Sequence, residues 1–262
     1  MKLLRILSSD WMKTKHTSIR FLLLVSPFFY PILILWYFCS FTKPQELAYN
    51  IHITFFQLGT VFLPMAAALF SGILSIQEEH AGNFIGMLTQ PVSRELIYLS
   101  KLLLLIVMMS GLIFESLGVL LIGMKIVLHM KYIETGLFLQ SGILAFAGML
   151  PLCSFYLFLS IWLGLGASIS AGSAGLLFAA VFGTTVVGDL IWPYIPFTWP
   201  VRLSWVPVVG MSGVDLPDSI TNMDFLIEQI RKGLIPAIAS FLIFTIVSLV
   251  WFRKWEGRKN HE

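Results

Sequence analysis

Residue types able to do chemistry are few in this chain, and they exclude more than they offer. No G-x-x-x-x-G-K-[ST] loop occurs, so no backbone cradle for nucleotide phosphates is present. Nor is there an H-E-x-x-H pair or a cysteine/histidine set of zinc spacing; His16, His52, His80, His129 and His261 are scattered, and no metal site is read. Gly164-Leu-Gly166-Ala-Ser168 echoes the turn that presents a nucleophilic serine, but no histidine falls in an apolar run to act as its base. Two carboxylates, Glu115 and Asp189, lie inside long apolar runs, Glu115 near the middle of one and Asp189 near the end of another. A carboxylate at the centre of a bilayer costs about 2.5–3.5 kcal/mol, so such residues are expected to face a bundle interior or a water-filled substrate path. Two are too few for a proton relay, which draws acids and histidines from several helices.

The densest polar chemistry sits instead in Gln77–Lys101, between two apolar runs. It carries Glu78 and Glu79, then Gly82, Asn83, Phe84, Met87, Leu88, Pro91 and Arg94 in order. Asn83 can cap a short helix, Phe84, Met87 and Leu88 then share a face at i, i+3 and i+4, and Pro91 stops it. The expectation is a two-turn amphipathic helix that exposes an aromatic and aliphatic knob, with Glu78 or Glu79 and Arg94 holding it by charge. Such a knob fits a groove in a partner protein or lies on lipid.

The elements that position these residues follow from composition. With 57% hydrophobic and only 12% charged residues among 262, the chain is an integral membrane protein. A span needs roughly 20 mainly apolar residues, and six segments qualify: Phe21–Phe41, Ile53–Ile76, Leu102–Met124, Leu137–Leu163, Ala174–Trp192 and Leu234–Phe252. The first is read as a retained anchor, because a long amphipathic stretch precedes it and no clean cleavage site follows. Residues 1–20 have one apolar face (Leu3, Leu7, Trp11) against basic residues, which suits an interfacial helix; a simple basic leader is the alternative.

Lys and Arg in the loops set the orientation. Lys2, Arg5, Lys13, Lys15, Arg20, Arg94, Lys101, Arg253, Lys254, Arg258 and Lys259 share one side, and the remaining six of the 17 basic residues lie opposite. Both termini and residues 77–101 are therefore expected in the cytoplasm. The net charge of +3 is a topology signal, and no basic stripe calls for a nucleic acid. Cys39 and Cys153 read as small buried apolar residues. Ala167, Ala171, Gly175, Ala179 and Gly183 recur every fourth residue, a ridge for close helix packing within the subunit or across a dimer. Residues 193–232 form the long outer loop. Its Trp- and Pro-rich first half is expected to dip into the outer leaflet, and its second half to form a short helix capped by Ser219 or Thr221 and closed by Gly233.

The order Glu78/Glu79, Gly82, Leu88, Pro91, Arg94, Lys101 resembles the cytoplasmic loop of permeases of type-2 ABC exporters, the ABC-2 family, as does the whole layout. Asn83 stands where the family usually has Thr, and Gly86 and Met87 interrupt its leucine-rich stretch. Within the family, Gly82-Asn-Phe84, the run Arg94–Lys101, Trp199-Pro-Val-Arg-Leu203 and Pro207-Val-Val-Gly210 resemble lantibiotic immunity permeases of Gram-positive bacteria.

The resemblance implies an all-α fold of six transmembrane helices with both termini inside, a coupling helix between spans 2 and 3, and a plasma-membrane location. It implies a non-enzymatic transport subunit without its own cofactor. ATP and magnesium would be bound by two copies of a cytoplasmic ABC ATPase, and a second permease, identical or related, would complete the transporter. The cargo implied is an amphipathic antimicrobial peptide, with other drugs or lipids as alternatives. A membrane-embedded enzyme using Glu115 or Asp189, or a non-transporting peptide-binding immunity protein, are the competing readings.

Overall fold

The computed structural model describes residues 2–16, 18–40, 47–82, 84–89, 92–211 and 223–257, and every regular element among them is helical. Helix α1 (Lys2–Lys13) leads through a 3-10 turn to α2 (Ser18–Cys39) and then α3 (Leu47–His80). A single helical turn, α4 (Ile85–Leu88), precedes α5 (Arg94–Ile126), α6 (Thr135–Leu163) and α7 (Leu165–Phe178). A π-helical turn, Ala179–Gly183, continues α7, and α8 (Trp199–Trp205) and α9 (Met223–Lys254) complete the chain. Six of these, α2, α3, α5, α6, α7 with its π turn, and α9, are long and apolar enough to cross a membrane.

The fifth span differs from the sequence expectation: it runs Leu165–Gly183 instead of Ala174–Trp192. Its serines explain the difference. Ser170 and Ser173 donate to the carbonyls of Gly166 and Ile169 one turn back, and Ser168 donates to the Ala68 carbonyl at 2.9 Å, so a polar-looking segment satisfies itself inside a span. Gly164, at φ 94°, is the one residue between α6 and α7 and turns the chain in the left-handed region that glycine tolerates.

In consequence Asp189 lies outside every candidate span. Its carboxylate takes a 2.8 Å hydrogen bond from Arg202 Nη1 on α8, while Arg202 Nη2 donates to the carbonyls of Phe182 and Thr185 at 3.2 and 2.6 Å. Arg202 thus ties α8 to one carbonyl of the π turn and one just beyond it. Asp189 is the counter-charge of Arg202.

The aromatic part of residues 193–232 folds into the bundle. Trp192 and Trp199 are buried with Leu203 and Ala237, and Trp199 Nε1 donates to the Pro193 carbonyl at 3.0 Å. A Cβ on Gly148, near the middle of α6, would sit 2.8 Å from Pro200 N, so α8 packs well within the length of the bundle. Among the described residues, 223–233 form no separate short helix closed by Gly233: they are the first turns of α9, which passes straight through Gly233, whose missing side chain admits Leu203 and Trp192. Ser219 and Thr221 lie outside the described residues. Cys153 is buried, but Cys39, the last residue of α2, is exposed.

The ridge Gly175, Ala179 and Gly183 is buried inside the subunit against Phe197, Val61 and Val201, with Ala167 and Ala171 half-buried beside it. Two apolar clusters hold the bundle. One joins Phe84, Met87, Tyr98, Met149, Tyr156 and Phe252 toward one end; the other joins Ile34, Phe38, Phe55, Leu120 and Phe138 toward the opposite end.

Candidate coupling site

α3 reaches His80 and α5 begins at Arg94, so the connector proper narrows to residues 81–93. Gly82 takes φ 121°, a conformation open to glycine, and lets the chain leave α3 sharply. Phe84 follows at φ 65°, costly for a bulky residue at about 1–3 kcal/mol. Its amide donates to the Glu78 carbonyl at 3.1 Å, and its ring meets Trp255 edge-on at 5.0 Å between centroids, contacts that help hold it there.

This geometry corrects the expected helix. α4 is one turn, with Phe84 as its N-cap residue; Asn83 and Pro91, read as cap and stop, lie outside the described residues. The presumed knob also points the other way. Phe84 and Met87 are each 1% exposed and belong to the core, with Leu88 half-buried beside them, while Ile85 is 62% exposed and Gly86 and Thr89 flank it in solvent. The i, i+3, i+4 face was read correctly as apolar, but its own bundle covers it, because Trp255 arrives from the far end of the chain.

Charges anchor the start of the connector. Glu78 Oε1 accepts from Lys101 Nζ at 2.8 Å and from Lys13 Nζ at 2.9 Å, and Asp10 lies 3.8 Å from Lys101 and 3.5 Å from Lys13. Ser100 Oγ donates to Asp10 Oδ2 at 3.0 Å. Two acids face two lysines, so α1, α3 and α5 meet at a neutral cluster in which Glu78, Asp10 and Lys101 are buried. Burial lowers the pKa of the Lys13 ammonium, but the Glu78 hydrogen bond and charge, with Asp10, outweigh this and raise it. Glu79 is half-buried.

Arg94 anchors the other end. Its Nη1 donates to the carbonyls of Arg253 at 3.1 Å and Trp255 at 2.8 Å, capping the C-terminus of α9, where carbonyls and the helix dipole favour a cation. Glu95 pairs with Arg253 at 2.9 Å. α4 is thus tied behind to the end of α9, and through Glu78 to α1 and α5.

The remaining candidates separate from this site. Glu115 lies on the exposed face of α5 and makes no hydrogen bond or ion pair among the described residues, so a single subunit does not enclose it as expected. Ser168 bonds to Ala68 and Ser71 and has no histidine partner. Sequence reasoning missed His52, which belongs to α3 and is fully buried, Nε2 lying 2.8 Å from Ser141 Oγ between the rings of Phe56 and Phe138. It also missed Asp10, Lys13 and Trp255 as partners of the connector. An acid one helical repeat from a lysine signals such pairing only when both are known to meet a third helix.

No curated protein and no solved structure matches this chain. The model of the family described as ABC-2 family transporter protein matches residues 6–175, taking in α1 to α6, the connector and the first part of α7. That is more than half of the chain, and the protein belongs to the ABC-2 transporter family.

Proposed function

We propose that this chain is the permease subunit of an ATP-driven exporter, with both termini and α4 on the cytoplasmic side, and that Ile85, Gly86 and Thr89 form the surface on which a separate ABC ATPase bears. One observation carries the reading: α4 presents an exposed isoleucine while its back is fixed to three other elements. An apolar side chain held outward on a rigid base suits a groove in a partner, and a push on it reaches α9 through Trp255 and Arg94 and α1 through Glu78. Glu78, Gly82, Phe84, Met87 and Arg94 act in this scheme as the mounting, with Ile85 as the contact.

ATP and magnesium belong to the partner, present in two copies, and a second permease, identical or related, completes the pore in a bacterial plasma membrane. Glu115 supports that neighbour, since a carboxylate left on lipid at mid-span costs about 2.5–3.5 kcal/mol. The cargo is an amphipathic antimicrobial peptide of the lantibiotic kind, expelled to protect the cell; the resemblance of residues 199–210 to immunity permeases supports this.

The test is co-purification with the ATPase encoded beside this gene. Ile85→Asp is expected to abolish the complex and its stimulated ATP hydrolysis while the permease keeps its thermal midpoint. An intact, stimulated complex would falsify the assignment of the contact. The cargo is tested separately by peptide resistance in cells carrying an ATPase-dead partner, where resistance should vanish.

A further inference from the structure

A cleft of about 300 Å³ runs between α2 and α3, floored by α5. One face of α3 lines it from Phe55 to Phe70, about 22 Å at 1.5 Å per residue, longer than one leaflet's roughly 15 Å share of the hydrocarbon core. Its hydroxyls are all spent. Ser26, Thr60 and Ser116 each donate to a carbonyl one turn back in their own helix, and the Tyr30 hydroxyl donates across the cleft to the Phe55 carbonyl. No hydroxyl proton remains to donate to a ligand, and the rest of the lining is apolar side chains and one glycine, so the occupant is apolar.

The cleft is roofed and opens sideways. The Tyr30 ring covers Gly59 so closely that a Cβ there would lie 3.2 Å from it, closing the end nearer Phe55. Phe62, half-exposed, and the half-buried Ala66 line the cleft where it opens to the surface of the bundle. This mouth is midway along two membrane-spanning helices, where hydrocarbon is what reaches it. A helix about 10–12 Å across with its side chains cannot enter such a volume, whereas a single chain can.

We propose that this cleft is a binding site for one acyl chain of a membrane phospholipid, which enters sideways between α2 and α3 and fills the space where those helices do not pack. The site stands independently of the exporter reading. α2 leans on α5 instead, where Leu35 fills the place of a side chain at Gly123, so the gap belongs to the packing of the bundle.

The full chain in nanodiscs of phosphatidylglycerol bearing a mid-chain diazirine tests this, with adducts mapped by peptide mass spectrometry. Adducts on Phe62 and Ala66 are expected to exceed those on Leu242 and Ile246, exposed apolar positions of α9. Ala66→Trp should remove the first set and spare the second. Equal labelling of the two helices in the unaltered protein overturns the site even if the variant does not fold. Unchanged labelling in a folded Ala66→Trp protein overturns it as well, as does displacement of the adducts by an apolar peptide, which would give the cleft to peptide side chains.

Discussion

The two ends of α3 are both fastened by a buried polar side chain, in opposite ways. At one end Glu78 engages lysines from two other elements, with Asp10 and Ser100 closing the cluster. At the other, His52 makes a single bond to Ser141 inside an aromatic cage, and its Nδ1 has no partner. The charged fastening joins α1, α3 and α5 and sits beside the connector, so any displacement of α4 is felt there. The neutral one joins only α3 to α6. Charge is used where three elements meet, and a lone hydrogen bond where only two helices are joined.

Breaking the charged end should produce the largest effect. Glu78→Ala takes from Lys101, whose side chain is only 5% exposed, its hydrogen-bonded counter-ion and leaves it only the more distant Asp10 at 3.8 Å; removing one partner of a buried pair costs about 3–5 kcal/mol. Thermal unfolding of the purified protein measures this, and Glu78→Leu combined with Lys101→Met should recover most of the loss; a double variant no better than the single one would mean the cluster is not a unit. Arg94→Ala comes next. It strips two carbonyls of a charged donor, worth about 1.5–3 kcal/mol, and should raise hydrogen exchange at residues 252–257 while leaving that of α6 alone.

Much of this fold was legible because hydrophobic runs of span length admit few arrangements, and five of the six spans fell where those runs lie. The fifth did not, since Ser168, Ser170 and Ser173 hide their polarity in carbonyl bonds that only a helix supplies. In the connector, the apolar face of Phe84, Met87 and Leu88 was visible in the spacing, but what covers it was not. Trp255 is far along the chain from Phe84, and no local pattern announces that meeting. The pairing of Asp189 was hidden for the same reason: its partner Arg202 is brought back by a loop whose path depends on the small side chains of Gly148 and Gly183.

At the neutral end, Ser141→Ala should cost less than either change above, about 1–2 kcal/mol, the range for polar bonds between membrane helices. Here the comparison sharpens, because His52 is left with two unpaired ring nitrogens. Replacing both partners with apolar residues, His52→Leu with Ser141→Ala, should therefore be milder than Ser141→Ala alone. A double variant that is markedly worse would assign His52 a role beyond packing.

The smallest effect belongs to Lys13, although it shares Glu78 with Lys101. Its side chain is 45% exposed, so water screens the pair and Lys13→Met should cost about 1 kcal/mol or less. The pH dependence tests the Lys13 contribution. Because the folded pKa of Lys13 is raised above its ordinary 10.5, its contribution is complete below about that pH and disappears as pH climbs through the folded value. The melting difference between Lys13→Met and the unaltered protein should thus hold steady across neutral pH and close in strong alkali. A difference already closing near neutrality would place the acid cluster, instead of the lysine, in control of how α1 is held to α3.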